Sequence, residues 1–246
     1  MTLLYKLTTR DYKTRPGENN ECVWGEGVTH SGTGEGDLCG PGYIHAYEDP
    51  IIAMLMNPIH AAYLCPVLWE AEGEIAKRDG DLKCGCISLT TLRVIPLPEI
   101  AIEQHVEFAI RCALEVYQDP GFVLWANKWL SGEDRSEKAA EMAEARAKWA
   151  LTQAEEMAKA QAVKAAESAA RAAGLNLNMA AAWAAAWAVE ASANAANELA
   201  WAVENAAARA ADVVNATVAH TSFSAIAIIR QMWPENKKKG KRRIRT

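Results

Sequence analysis

One stretch of the chain concentrates its chemically distinctive residues: LCGPGYIHAYEDP, residues 38–50, followed directly by IIAMLMNPIHAAYLCP, residues 51–66. It contains two histidines, two cysteines, three tyrosines and four prolines. Asp49-Pro50 is typical of a helix start, because Asp can cap the helix and proline loses nothing at the first helical position. Asn57-Pro58 predicts the end of that helix. We therefore expect a short buried helix that forms a structural corner in the first half of the chain.

Segments with strand character surround this corner. They are rich in β-branched, leucine and aromatic residues and are separated by turn signals such as Asp79-Gly80. We expect strands at residues 3–9, 67–75, 82–89 and 92–95. The sequence thus predicts an α+β fold, with a small mixed-sheet domain at residues 1–97.

A glycine-rich segment, residues 15–42, precedes the corner and includes the run GTGEGD at 32–37. No buried strand clearly precedes this run and no Gly-Lys-Ser/Thr closes it, so it does not match phosphate-binding loops. Its acidic residues would also repel phosphate. We expect a mobile surface loop.

The candidate ligand-binding residues of this half lie on loops or beside short elements: His30, His45, Tyr47, His60 and Glu70. Histidine and glutamate can perform acid–base chemistry, but the sequence does not identify a catalytic residue. The six cysteines are expected to be reduced. Their irregular spacing, without a Cys-x-x-Cys pair, does not favour zinc, so we expect no metal and no cofactor.

The second half is rich in alanine and predicts an antiparallel helical bundle at residues 98–233. Residues 136–173 carry one alanine face and one charged face. As a single helix they would span roughly 57 Å, which is long enough that a bend within the segment is an open alternative. A second long helix carries Trp183, Trp187 and Trp201 on its polar stripe. These tryptophans predict an interface, although they could instead fill gaps between alanine-faced helices.

The formal net charge of −5 is distributed unevenly. Residues 234–246 carry seven basic side chains and one acidic one, and the rest of the chain is strongly acidic. We expect a disordered basic tail, with nucleic-acid contact only through residues 237–245. Neither a membrane-spanning run nor a signal peptide is recognisable, so a cytoplasmic location is expected, that of the host cell if a phage encodes the protein.

Several short motifs resemble an uncharacterised domain family of phage and bacterial proteins in which the first domain is followed by Ala-rich helices. They are Leu38-Cys39, Gly42 to Tyr47, Asp49-Pro50, Asn57 to Ala61, Leu68 to Glu70, Lys83 to Gly85, and Trp129 to Arg135. The resemblance covers about the first 135 residues. It implies a phage or prophage context and carries no established activity.

A second resemblance concerns the order of elements: a leading strand, a Gly-Tyr-x-His-Ala segment, a short helix and further strands. This order is similar to that of ADP-ribosyltransferase-like domains, which bind nicotinamide dinucleotide in a split sheet. By that resemblance His45, Tyr47 and one of Glu70 or Glu72 would form the site.

Two functional hypotheses follow. The first is a phage-type accessory protein whose sheet domain binds a small ligand or a host protein and whose helices mediate assembly as a homo-oligomer. The alternative is an ADP-ribosyltransferase-like enzyme that uses the N-terminal domain. An enzyme requires His45, Tyr47 and a glutamate to converge, whereas an assembly protein requires exposed apolar side chains such as the three tryptophans.

Overall fold

The computed structural model describes residues 1–152, 157–175, 179–210 and 224–234. The chain forms two compact units. Met1–Ile100 together with Ala225–Thr246 is called the barrel unit, and Ala101–Ser224 is called the helical unit. An antiparallel sheet is followed by helices, so the predicted α+β class is confirmed. No helix in these described ranges is long and apolar enough to cross a membrane.

The strands of the barrel unit pair antiparallel throughout the described residues, where the sequence favoured a mixed sheet. Two of them are long and carry most of the pairing, β6 and β7, and both are interrupted by register shifts. The main sheet has the order β1-β6-β7-β4, with β5 also paired to β7, while β2 and β3 form a separate ladder. The strands are β1 Thr2–Thr8, β2 Lys13–Thr14, β3 Cys22–Val23, β4 Thr29–Ser31, β5 Ile44–Ala46, β6 Val67–Asp79 and β7 Lys83–Ile95.

The sheet closes on itself through Tyr5 and Tyr47. Tyr47 follows β5, and its amide and carbonyl exchange hydrogen bonds of 2.9 and 2.8 Å with the backbone of Tyr5 in β1. Because β1 pairs with β6, β6 with β7, and β7 with β5, this contact completes a small barrel. The bridge pairs the second edge of β1 at Tyr5. The interior cluster is formed by Leu4, Trp24, Ala46, Ala71, Cys84, Cys86 and Leu89.

Two helices belong to the barrel unit, α1 (Pro50–His60) and, from the far end of the chain, α7 (Ala225–Met232). They contact each other, and α1 also contacts β1. Apolar residues of α7 such as Ile228 and Ile229 are buried. The sequence analysis assigned this segment to the helical domain, 98–233. The apolar face of a helix of eight residues does not show which of two cores it covers.

The start of α1 matches the sequence, since the Asp49 carboxylate accepts from the Ile51 amide at 2.7 Å. Its predicted end was wrong. The helix runs through Asn57-Pro58 to His60, and Pro58 lies buried inside it. Proline is tolerated there because only the last turn of the helix loses a backbone hydrogen bond. Asn57 stabilises the residues that follow the helix. The Asn57 carbonyl accepts from the amides of Ala61 and Ala62, and its side chain bonds to the backbone of Tyr63.

The helical unit contains five helices in its described residues. They are α2 Ile102–Val116, α3 Pro120–Ser131, α4 Glu137–Thr152, α5 Met157–Gly174 and α6 Met179–Ala210. The core is mostly alanine, with the aromatic side chains of α3 covering one part of it. The small alanine side chains let helices approach closely, which compensates for the little area that each of them buries.

Residues 136–173, for which the sequence left a continuous and a bent helix open, form two antiparallel helices in the described residues, α4 and α5. Gly174 at the end of α5 faces Ala140 near the start of α4. Glu144 accepts from Lys148 at 2.7 Å within α4, and from Arg171 of α5 at 3.2 Å. By folding back, the chain buries alanine faces of α4 and α5 against each other, which an isolated long helix would leave in water.

Candidate functional site

The glycine loop, residues 32–42, lies over β7 and is held by side chains from several elements. Four alternate carbonyls of the loop each accept a hydrogen bond from a different side chain. The carbonyl oxygen of Gly34 accepts from the Tyr43 hydroxyl at 2.5 Å, and that of Gly36 accepts from Lys77 Nζ at 2.7 Å. The carbonyl oxygen of Leu38 accepts from His45 Nε2, and that of Gly40 accepts from Arg15 Nη2 at 3.3 Å. The predicted surface position is confirmed, because every residue of the loop except Gly42 is exposed or half-buried. These four contacts hold the loop against neighbouring elements, and its mobility stays a prediction.

Close backbone approaches explain two of the glycines in this loop. A Cβ on Gly42 would lie 2.0 Å from the Glu35 carbonyl oxygen, and one on Gly32 would lie 2.2 Å from the Gly42 carbonyl oxygen. The Gly34 amide donates to the Gly42 carbonyl at 2.9 Å. The glycines therefore allow the two arms of the loop to touch, and neither arm leaves room for a phosphate group between them.

His45, the central candidate of the sequence analysis, anchors this loop. Its imidazole bonds to Leu38, and its own carbonyl oxygen accepts from Lys6 Nζ at 2.7 Å. Burial, against the opposing bond to Leu38 and with the help of the nearby positive charges of Lys6 and Lys83, lowers the pKa of His45 to about 4. The imidazole is therefore neutral near pH 7 and occupied in a structural bond.

Tyr47 and His60 are the pair of candidates that the fold brings together. Their rings stack with centroids 5.9 Å apart and an interplanar angle of 19°. The Tyr47 hydroxyl lies 3.3 Å from Nδ1 of His60. Tyr47 is buried and His60 is half-buried, so His60 is the more accessible of the two.

Glu70 lies elsewhere on the sheet. Tyr5 in β1 pairs with Glu70 of β6 on one side and with Tyr47 on the other. Glu70 and Tyr47 are therefore separated by two strand spacings, roughly 10 Å. Its carboxylate forms an ion pair of 2.7 Å with Arg93. Burial, and then the charge of Glu70, raises the pKa of Tyr5.

His30 is also separate from the other candidates. Its Nε2 donates to the Val23 carbonyl at 2.8 Å, and its ring packs edge-on against Trp24 with centroids 4.6 Å apart. The five candidates are therefore distributed: Tyr47 and His60 form a pair, and the other three occupy separate contacts.

The helical unit presents the interface candidates on α6. Trp183 is 40% exposed and Trp187 is 54% exposed. Residues between and beside them are buried, because α6 packs against both α2 and α5. The side chain of Trp201 lies outside the described residues, as does the basic segment 237–245.

Comparison with protein-family models, curated proteins and solved structures returns no match.

The structure adds one group that the sequence analysis did not select, the buried Lys6. It is 7% exposed, and its ammonium lies 5.3 Å from the centroid of the Trp24 ring. Burial lowers its pKa to about 8. The sequence could have indicated that Lys6 is buried, because in the alternation of β1 it lies on the inward side, between Leu4 and Thr8.

No group of three or more His, Cys, Asp or Glu side chains that could hold a metal ion occurs in the described part of the chain.

Proposed function

We propose that the protein acts by binding and self-assembly, with α6 of one copy contacting α6 of another. The observation that supports this most directly is the exposure of two neighbouring tryptophans in the part of α6, residues 180–196, where most of the described side chains are buried. Trp183 and Trp187 are one turn apart, so their rings share one face of the helix.

The exposed stripe on α6 is narrow and well defined. Between residues 180 and 195 the side chains that are not buried follow helical spacing at 180, 183, 187, 190 and 194. Ala184, Ala185 and Ala188, which lie between the tryptophans or next to them, are buried. The exposed parts of these two rings support an interface over gap filling within the bundle. Tryptophan is among the residue types most enriched at the centres of protein interfaces, which favours a docking surface.

A second copy of the chain fits this stripe by symmetry. In a two-fold contact the same patch serves both partners. If two α6 helices cross antiparallel with Ala185 at the centre, Trp183 faces Trp187 of the other copy. Glu190 then faces Ala180, which keeps the two glutamates apart. The contact buries four indole rings and avoids like-charge repulsion.

The barrel unit would supply the recognition function. Tyr47 and His60 place an aromatic stack and a half-exposed imidazole side by side, and these groups can contact a small ligand or a host protein. The accessory role in a phage setting, implied by the motifs of the first half, remains a prediction.

Replacing both Trp183 and Trp187 by alanine is expected to raise the dissociation constant of the oligomer by at least 30-fold. A central tryptophan contributes about 2 kcal/mol or more, and 1.4 kcal/mol corresponds to a factor of ten. Sedimentation velocity and native mass spectrometry over a concentration series measure this change. Trp149→Ala is the matched control, because Trp149 is 68% exposed but belongs to α4.

The control variant should associate like the unchanged protein. A protein that remains monomeric at every concentration would exclude self-assembly. Association that is unaffected by the double substitution, or weakened equally by Trp149→Ala, would place the contact elsewhere.

A further inference from the structure

Cys39 in the glycine loop is an exposed thiol in contact with a buried ammonium group. The Nζ atom of Lys83, the first residue of β7, donates a hydrogen bond of 3.2 Å to the Cys39 sulfur. The Lys83 residue is only 9% exposed, so its side chain approaches the sulfur from the barrel. The thiol therefore combines access for a small reagent with a positive charge held against it.

The Cys39 sulfur is the closest acceptor of this ammonium group. The Oδ2 atom of Asp79 lies 3.9 Å from Lys83 Nζ, which is beyond hydrogen-bond distance. Within the described part of the chain, the sulfur accepts the one hydrogen bond that the Lys83 side chain donates. A buried cation depends on strong acceptors, and an acceptor that carries negative charge forms the stronger hydrogen bond. Lys83 therefore stabilises negative charge on the sulfur when Cys39 reacts.

Neighbouring hydrogen bonds keep Cys39 near this position. The carbonyl oxygen of Leu38 accepts from His45 Nε2, and that of Gly40 accepts from Arg15 Nη2 at 3.3 Å. The residues on both sides of Cys39 are thus anchored to other elements of the barrel unit. The contact between the sulfur and β7 belongs to this series of anchoring bonds along the loop.

We propose that Cys39 and Lys83 form a modification site for small hydroperoxides, at which oxidation joins the two side chains through a sulfur–nitrogen bond. Reactive cysteines lie in electropositive, accessible surroundings, which this contact provides. In the first step the Cys39 thiolate attacks the terminal oxygen of the peroxide. An S–O bond forms, the O–O bond breaks, and the leaving oxygen takes up a proton, so that Cys39 becomes a sulfenic acid.

The second step joins the sulfenic acid to the lysine. Sulfenic acids condense with nitrogen nucleophiles to give sulfenamides. The Lys83 nitrogen releases one proton to solvent and attacks the Cys39 sulfur as a neutral amine. An S–N bond forms, the S–O bond breaks, and the hydroxyl leaves as water with a second proton from the nitrogen. With hydrogen peroxide, one thiol, one amine and one oxidant yield one sulfenamide and two waters.

Proximity selects Lys83 as the group that captures the sulfenic acid. Its nitrogen already contacts the sulfur, and its flexible four-carbon stem allows the further approach that a covalent bond requires. Cys84 is adjacent in sequence, but strand alternation places its side chain on the other face of β7. Its thiol donates to the Ala46 carbonyl at 3.3 Å and is 1% exposed. The lysine therefore reaches the oxidised sulfur before a second thiol does.

The test treats the folded full-length protein with hydrogen peroxide, alkylates the remaining thiols in denaturant, and digests with a glutamate-specific protease. Peptide 36–48 contains Cys39 as its only cysteine, and peptide 75–99 contains Lys83 with two other cysteines. We expect mass spectrometry to find the two peptides joined, with a loss of two hydrogens and with both other cysteines alkylated. A disulfide would leave only one of them alkylated. Hydrogen exchange in peptide 36–48 should become slower once the cross-link forms.

Two variants separate the charge of Lys83 from its nucleophilic nitrogen. Lys83→Met removes both, so the joined peptides should be absent and a 1,3-dione should trap the sulfenic acid, formed at least tenfold more slowly. Lys83→Arg keeps a positive charge on a group that stays protonated, so Cys39 should be oxidised rapidly without a cross-link. Cys65 is the internal reference, because it is also exposed but has no lysine bound to it among the described residues. In the unchanged protein it should react at least tenfold more slowly than Cys39.

Three results would overturn the proposal. One is oxidation of Cys39 that is no faster than that of Cys65. Another is a joined pair of peptides in which only one of the other two cysteines is alkylated, which identifies a disulfide. The third is an unchanged yield of the cross-link in Lys83→Arg, with circular dichroism confirming that the variant is folded. Since none of these readouts depends on association, the outcome is independent of the proposed assembly.

Discussion

Gly42→Ala is expected to destabilise the barrel unit by about 3 kcal/mol, at the upper end of overpacking costs, because the new methyl group meets backbone. Its Cβ would lie 2.0 Å from the Glu35 carbonyl oxygen and 3.0 Å from the Glu35 carbonyl carbon. Main-chain atoms cannot rotate away as a side chain does. The loop would have to separate its arms, which breaks the bond from Gly34 to Gly42.

Hydrogen exchange in increasing denaturant, read peptide by peptide, measures this loss separately for each unit. Gly25→Ala is the control, because its Cβ would meet only a Val28 methyl group at 3.3 Å. The control should change stability by less than about 1 kcal/mol. If Gly42→Ala were as mild as the control, the loop could not be packed as closely as the structure shows.

Acid is expected to destabilise both units between about pH 6.5 and pH 4. The pKa of His105 in α2, like that of His45, is lowered to about 4, and burial is the cause. A histidine whose pKa is lowered by folding makes its full contribution to stability above about pH 6.5, the pKa of the unfolded chain. That contribution is lost as the pH falls toward the lower pKa of the folded state. For His105 the loss approaches roughly 3 kcal/mol at pH 4.

His105→Leu isolates this effect in the helical unit. The imidazole Nδ1 of His105 is buried without a hydrogen-bond partner among the described residues, so leucine also removes an unsatisfied polar atom. The variant should be at least as stable at pH 7 and should lose less stability than the unchanged protein on acidification to pH 4. Identical pH dependence of the two proteins, by hydrogen exchange of α2 peptides, would show that His105 titrates normally.

For the helices, local sequence was largely sufficient. Asp49 and Asp119 cap their helices, each followed by proline, and these patterns are readable without the fold. The exposed stripe of α6 also follows from its polar periodicity, since Trp183 and Trp187 lie on it as expected. The chain reversal between α4 and α5 could not be read, because alanine faces are equally compatible with one long helix and with two packed ones.

The candidate site was less predictable, because it depends on contacts between residues far apart in the chain. His45, Tyr47, His60 and Glu70 look equivalent as polar residues near one corner. Only the folded position of α1 shows that Tyr47 meets His60, and only the register of β1 and β6 shows that Glu70 lies two strands away. The contacts of the glycine loop could not be predicted for the same reason, since its side-chain partners, such as Arg15 and Lys77, come from distant segments.

By itself the sequence determined the α+β class, the helix caps and the amphipathic faces, because these depend on residue preferences and on spacings of two to four residues. The tertiary structure decided that Tyr5 and Tyr47 close the barrel. It also decided that Lys6 lies inside with Cys84 and Cys86, and that α7 joins the first unit. The alternation of β1 indicates that Lys6 points inward, but its neighbours there, the partner of Tyr5 and the core that α7 covers depend on residues tens or hundreds of positions away. No local pattern identifies those partners.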